Sequence, residues 1–260
     1  MKEFERKVAI VTGTTGIGRA IANKLASGGS SVLACGIDAT ANRELLHESD
    51  AKGYALRAEL CDVSQPEQVQ AVVGNAVAQF GGLDFIVNCA AIHPFGNSVE
   101  TEPETWNRCM AVNLGGAYLL SHYGIPEMRK RGGGSIVIVA SVQGHACQRG
   151  VAAYAASKGG LLSLTRALAL DHAADRIRVN SISPGSIRTP MLELSARHFS
   201  PELPVDTVVE RFGAAHPLGR VGTVEEVAEL AAFLLSDRSA FCTGGDYLVD
   251  GGLLAGIAVQ

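Results

Sequence analysis

The sequence predicts an α/β protein: one domain over residues 1–260, built as a doubly wound parallel sheet of about seven strands with helices on both faces. Three observations carry this. Short continuous apolar runs rich in β-branched residues recur along the chain, and such runs are typical of parallel strands buried on both faces. Longer segments with helical spacing lie between them, and regular alternation of strand and helix builds a doubly wound sheet. The first apolar run leads directly into a glycine turn and a helix start, VTGTTGIGRAIA.

Taken in order, residues 8–11, 32–34, 83–87, 136–140, 177–182 and 247–249 read as strands, and a third strand region ends at Asp62 and Val63. Segments 18–27, 66–80, 103–130, 151–173 and 224–236 read as helices. No linker, repeat or low-complexity stretch divides the chain. The irregular region is 184–217, with five prolines (184, 190, 201, 204, 217) and mixed polarity. A long, weakly patterned segment inside a compact domain is either an active-site lid, which is the expectation here, or a surface loop.

Composition narrows the function. Hydrophobic residues make up 47% and charged residues 18%, values of an ordinary folded protein. With 22 basic and 26 acidic residues the net charge is −4, which leaves no basic footprint for nucleic acid. No apolar stretch approaches the roughly 18 residues that span a bilayer. The start, MKEFERKVAIVTG, does not read as a signal peptide, so a cytoplasmic protein is expected. Six scattered cysteines without a CxxC pair fit reduced thiols, and no HExxH or paired Cys/His spacing points to a metal.

The glycine turn comprises Gly13, Thr15, Gly16, Ile17 and Gly18. Glycine lets the backbone approach a ligand closely, and the helix N-terminus after it offers free N–H groups and a positive dipole end to a pyrophosphate. Asp62 and Val63 sit where a carboxylate could accept from an adenine amine; the alternative for Asp62 is a loop cap. Asn88 and Ala90 follow the fourth strand at the carboxyl edge where such sheets bind ligands; the alternative for Asn88 is a turn amide.

A second constellation carries chemistry. Tyr154 and Lys158 stand four apart, on one helix face, and Ser141 lies 13 residues before the tyrosine. A neighbouring ammonium favours the phenolate and lowers a tyrosine pKa from its usual value near ~10. A serine at a strand end could then hold a substrate oxygen beside the phenol. Alone, the spacing is common, and most instances are an aromatic packed under a lysine stem.

Together these residues resemble the short-chain dehydrogenase/reductase family, from Lys7 to about Gly252. TGTTGIG is similar to its cofactor loop and NCAA to its NNAG segment. Asn113, which precedes Ser141 by 28 residues, falls with Ser141, Tyr154 and Lys158 where the family's catalytic tetrad does. Pro184, Gly185, Ile187 and Thr189 match the segment that holds the nicotinamide, and GGDYLVDGG matches its last strand and C-terminal turn. The resemblance implies a Rossmann-like fold and an NAD(P)-dependent oxidoreductase. Tyr154 is then the general acid/base. Lys158 lowers its pKa and binds the nicotinamide ribose, Ser141 orients the substrate oxygen, and Asn113 holds a water linking Lys158 to solvent. There are departures: the loop is one residue short of TGxxxGxG, Cys89 replaces the second asparagine, and Ala91 replaces the glycine.

Cofactor choice is expected after the second strand, where an acid binds the free ribose hydroxyls of NAD and repels the 2′-phosphate of NADP. The usual position holds Gly36, and Asp38 follows two residues on, with no Arg or Lys between Gly36 and Arg43. NAD is expected, with NADP the alternative. For the substrate, candidate contacts are Ser141, Gln143, His145, His93 and Met191; for His145 a loop histidine facing water is the alternative. Gln143 and the QRGVAAY approach to Tyr154 resemble bacterial sugar or polyol dehydrogenases of the family. A steroid or 3-oxoacyl compound is the alternative substrate, and a catalytically silent dinucleotide-binding homologue the alternative function. A serine hydrolase is disfavoured, since no G-x-S-x-G elbow occurs. Small residues along the helix of Tyr154 and the apolar tail LLAGIAV suit a homo-oligomer, a tetramer or dimer as the family implies; packing within one subunit is the alternative.

Overall fold

The computed structural model describes residues 2–256. Seven strands form one sheet in the order β3-β2-β1-β4-β5-β6-β7: β1 (Val8–Thr12), β2 (Ser31–Gly36), β3 (Leu56–Leu60), β4 (Phe85–Asn88), β5 (Gly134–Val139), β6 (Ile177–Pro184) and β7 (Asp246–Val249). Every neighbouring pair is parallel. Successive side chains of a strand point to opposite faces, and that alternation builds two cores. Ile10, Leu33, Ile86 and Ile136 point to one face and pack with α3 (Pro66–Phe80), α5 (Gly116–Lys130) and α6 (Ala152–Asp171). Ala9, Val11, Val32, Val87 and Val137 point to the other and pack with α1 (Gly16–Ser27), α2 (Ala39–Ala51) and α9 (Val224–Leu235). The doubly wound, single-sheet architecture is the one the sequence predicts.

Four local differences have physical causes. First, α2 is absent from the helical segments read in the sequence; its apolar face is narrow, but Asp38 caps it, accepting from the N–H of Thr40 at 2.8 Å and of Ala41 at 3.1 Å. Second, β3 is an edge strand with a half-exposed pattern, so its sequence LRAEL lacks a buried run. Third, the single helix expected over 103–130 is α4 (Pro103–Met110), a π-helical turn over Ala111–Gly115, and α5; the wider turn carries Asn113.

Fourth, the irregular segment 184–217 contains two helices, α7 (Pro190–Phe199) and α8 (Val205–Ala214). Two of its five prolines stand at helix starts rather than breaking helices. Pro190 stands in the first turn of α7 after Thr189, whose hydroxyl accepts from the Leu192 N–H at 3.2 Å, and Pro204 caps α8. Ala196, Val208 and Val209 form a small core of their own beneath them.

Two small residues of α6, Gly159 and Gly160, lie against the chain itself, while Ala156 is exposed. A methyl on Gly160 would lie 2.9 Å from Leu114, and Gly159 faces the Gly144 carbonyl. Of the apolar tail, residues 257–259 lie outside the described residues. No helix among the described residues is long and apolar enough to cross a membrane.

Candidate active site

A cleft of about 580 Å³ opens along the carboxyl ends of the strands. Strand order reverses between β1 and β4, and the crevice at such a point is where open α/β sheets take ligands. The loop from β1 to α1 forms one end. Gly13 and Gly16 have φ of +89° and +49°, a backbone that L side chains rarely adopt. Gly18 lies beneath, where a methyl would stand 2.1 Å from the Gly13 carbonyl oxygen. Thr15 ends the loop without a side-chain cap on α1, so its first N–H groups remain available. Gly13, Thr15, Gly16 and Ile17 line the cleft; Gly18 supports them from below. A glycine cradle and an uncapped helix N-terminus fit a pyrophosphate.

The short loop has a partner in β2. Thr14 is buried, and its hydroxyl oxygen lies 2.7 Å from where a Cβ on Gly36 would stand. A side chain at residue 36 is therefore blocked. Asp38, at the exposed rim, has one oxygen committed to capping α2, while Oδ2 accepts no hydrogen bond among the described residues. It forms no ion pair among the described residues. Arg19 is bound to Glu44 and Glu48, and Arg43 donates to Thr40. Arg108 and Lys158 are the cations lining the cleft.

Further along, Asp62 and Val63 line the wall. Asp62 Oδ1 accepts from the N–H and hydroxyl of Ser64, and Oδ2 from Arg108 at 2.9 Å. With Arg108 and Ser64 as donors, the carboxyl sits below its ordinary pKa despite partial burial. Ala90 lines the cleft, but Asn88 does not. Asn88 accepts from Thr12, whose hydroxyl in turn accepts from the N–H groups of Cys89 and Ala90 at 3.0 and 3.1 Å. Asn88 thus ties β4 to β1 behind the surface.

Ser141, Tyr154 and Lys158 meet at the middle of the cleft. Ser141 follows β5 and accepts from the Gln143 N–H at 3.1 Å. Lys158 is buried, with its ammonium 5.5 Å from the Tyr154 ring centroid and donating to the Val139 carbonyl at 2.8 Å. Burial pulls its pKa down to about 8. The expectation that Lys158 lowers the Tyr154 pKa is not what this geometry gives. Burial pushes the phenol up to about 12, with the Ser141 hydroxyl acting the other way, and the ammonium donates to the Val139 carbonyl.

Asn113 stands behind this group, fully buried. Its Oδ1 accepts from the Ile92 N–H at 2.8 Å, and its Nδ2 donates to the Ile92 carbonyl and to the Ser157 hydroxyl at 3.0 and 2.9 Å. Ser157 donates to the Tyr154 carbonyl at 2.7 Å. The amide thereby bonds protein groups through both its oxygen and its nitrogen and ties the Tyr154 helix to the segment after β4.

Pro184, Gly185, Ile187 and Thr189 line the far wall and lead into α7. The substrate end is closed by Met191, Leu192 and Phe199 from α7, Phe212 from α8, and Val142. His93 packs edge-on to Tyr154 with centroids 4.2 Å apart, and Phe95 links it to His198 and Phe199 by ring contacts. Burial and the nearby Lys158 depress the His93 pKa to about 4, so the ring is neutral. Gln143 and Met191 also line the cleft. His145 does not: its Nε2 is 2.7 Å from Asp246, which also accepts from Ser181 and Ser183. An acid on β7, distant in sequence, draws that ring out of the pocket.

The family model described as enoyl-(acyl carrier protein) reductase matches residues 11–254. A cyclohexanol dehydrogenase of Acinetobacter sp. (strain SE19) is 38% identical over 251 residues, covering 96% of this chain and 95% of the relative. This chain belongs to the short-chain dehydrogenase/reductase family. An L-fucose dehydrogenase of Bos taurus is 37% identical over 252 residues, covering 96% of this chain and 90% of the relative. The solved structure of an actinorhodin polyketide ketoreductase variant with NADPH superposes with a TM-score of 0.91 at 34% identity, covering 95% of this chain and 97% of that one.

As a short-chain dehydrogenase/reductase, the protein is an NAD(P)-dependent oxidoreductase. Three contributors escaped the sequence reading. Thr12 joins the ends of β1 and β4, Ser157 couples Asn113 to the Tyr154 helix, and Arg108 faces Asp62. Ser157 carried a signal in the sequence, lying three residues from Tyr154 on the same helix. Arg108 lies on a distant helix and carried none, while Thr12 opens the TGTTGIG loop but its link to β4 was not marked there.

Proposed function

We propose that this protein is an NAD-preferring dehydrogenase that interconverts a secondary alcohol and its ketone, with Tyr154 as general acid/base. The observation that carries it is one continuous cleft, with Ser141, Tyr154 and Lys158 at its middle and an uncapped glycine loop at its end. Gly13, Gly16 and the α1 N-terminus hold the pyrophosphate, Asp38 the adenosine ribose, Asp62, Val63 and Ala90 the adenine side, and Pro184, Gly185, Ile187 and Thr189 the nicotinamide. When bound, the nicotinamide accepts or returns the hydride.

Ser141 and Tyr154 hold the substrate oxygen between two hydroxyls. As a neutral phenol in the resting site, Tyr154 is a proton donor to a forming alkoxide; in oxidation it takes the alcohol proton, favoured as pH rises. Lys158 holds the nicotinamide ribose and supplies positive charge beside the phenol. The free Asp38 oxygen, which forms no ion pair among the described residues, favours NAD over NADP. The substrate end, closed by Met191, Leu192, Phe199 and Phe212, favours a compact and largely apolar alcohol over a fully hydroxylated sugar. Residues 184–217 form its lid. We also propose a cytoplasmic homo-oligomer, since Leu170, Phe241 and Leu248 are exposed apolar side chains.

Fluorescence titration with NADH and NADPH tests the cofactor assignment, with NADH expected to bind more tightly. Reduction of NAD with a panel of cyclic secondary alcohols, sugars and hydroxysteroids tests the substrate. Binding of neither nucleotide sinks the proposal, and tighter NADPH binding sinks the role of Asp38.

A further inference from the structure

His216 is buried behind the cleft rather than in it, and backbone groups take both of its ring nitrogens. Nδ1 lies 2.5 Å from the Asp250 carbonyl oxygen, and Nε2 lies 3.4 Å from the Ser186 nitrogen. A carbonyl oxygen only accepts, and a backbone N–H only donates. The proton therefore sits on Nδ1, which donates to Asp250, and the bare Nε2 accepts from Ser186. The Cε1 edge between them is packed as well: a methyl on Gly185 would stand 2.6 Å from it. One imidazole thus meets two successive residues of the segment 184–189 from behind.

The two sides of the ring belong to two walls of the cleft. Gly185 and Ser186 line it directly, at the wall that leads into α7. Asp250 follows β7, and its carboxylate accepts from the N–H groups of Gly252 and Leu254, each at 2.9 Å. Those bonds hold the C-terminal turn, from which Leu253 and Leu254 reach the cleft. His216 is fixed from its own side too, since its N–H donates to the Gly213 carbonyl at the end of α8 at 3.0 Å. An apolar side chain could fill the same space, but it would leave the Ser186 N–H and the Asp250 carbonyl without these partners.

We propose that His216 is a positioning residue for the nicotinamide: it anchors the Gly185–Ser186 backbone to the C-terminal turn and so fixes how the nicotinamide lies against Tyr154. This rests on the dehydrogenase function proposed above. His216 touches neither substrate nor cofactor and acts through Gly185 and Ser186. Its influence falls on the nicotinamide half of the dinucleotide, because the adenosine half is held at the other end of the cleft. A wall anchored beforehand has little freedom left to lose on binding. The stakes for chemistry are high, since displacing reacting groups by about 1 Å can cost about 10²-fold in rate.

The test compares NADH with ADP-ribose, the dinucleotide without its nicotinamide ring, by calorimetric titration of the parent protein, His216→Asn and His216→Gln. Affinity is read without turnover. Glutamine offers a donor and an acceptor on an arm that reaches both partners, whereas asparagine is shorter and reaches only the nearer one, Asp250. The parent is expected to bind NADH about tenfold more tightly than ADP-ribose. His216→Asn should reduce that ratio to below about threefold with ADP-ribose affinity within about twofold of the parent, and His216→Gln should hold it above about fivefold. A ratio unchanged in His216→Asn overturns the inference. A joint loss of both affinities in that variant, or a glutamine variant no better than the asparagine one, also overturns it, because the ring then only supports the fold. Failure of the parent to bind NADH at all is a different result: it refutes the dehydrogenase function, and the inference falls with it.

Discussion

Lys158 is held where its charge is least stable. Burial lowers its pKa from 10.5 to about 8, and the Val139 carbonyl is its hydrogen-bond partner. The unfolded chain binds the proton more tightly, so this group adds stability only as pH rises from about 8 towards 10.5. At neutral pH it opposes folding by about 3 kcal/mol. Replacing Lys158 by Met is therefore expected to stabilise the fold by roughly 1–2 kcal/mol in denaturant unfolding, after loss of one hydrogen bond, while removing turnover. A less stable variant would show that the ammonium is a structural asset. At this scale the neighbourhood of Tyr154 and Lys158 was legible in the sequence, because four-residue spacing on a helix fixes which side chains share a face. The direction of the Tyr154 shift was not, since it depends on how deeply the phenol is buried and on where the ammonium points. Nor was the fate of His145, decided by Asp246 a hundred residues away.

Among the elements, the shortened loop and β2 behave as one unit. Thr14 occupies the space that a side chain at residue 36 would need, so the acid after β2 stands instead at Asp38, the cap of α2. Gly36→Ala is expected to cost about 1–3 kcal/mol. Adding Thr14→Ala should recover about 1 kcal/mol or more as a coupling energy in a double-mutant cycle. Strict additivity in the four unfolding curves would show that the two residues do not meet. The order of strands and helices was readable because buried parallel strands leave long apolar runs. The edge strand β3, the polar helix α2 and the two lid helices were not, because their stability comes from caps and tertiary packing rather than from a strong apolar pattern. The π-helical turn at Asn113 has no compositional mark; it coincides with the amide's bonds to Ile92.

For the molecule as a whole, two cores on opposite faces of one sheet supply the stability, and the cleft spends some of it. His93 has a folded pKa near 4 against an ordinary value of 6.5. Between those values the unfolded state binds the extra proton, so stability falls as pH drops through that window. Unfolding free energy should decline by about 2 kcal/mol between pH 7 and pH 5 on account of this ring. His93→Phe should flatten that slope; an unchanged slope would place the acid sensitivity elsewhere. The same cleft leads to Tyr154, and on Tyr154 the proposed function stands or falls. The most direct measurement is NAD-linked turnover of Tyr154→Phe beside the parent protein, with NADH affinity measured on both. The account predicts a loss of turnover of about 10²-fold or more with NADH affinity within about threefold. Retained turnover with the phenol hydroxyl gone would contradict it.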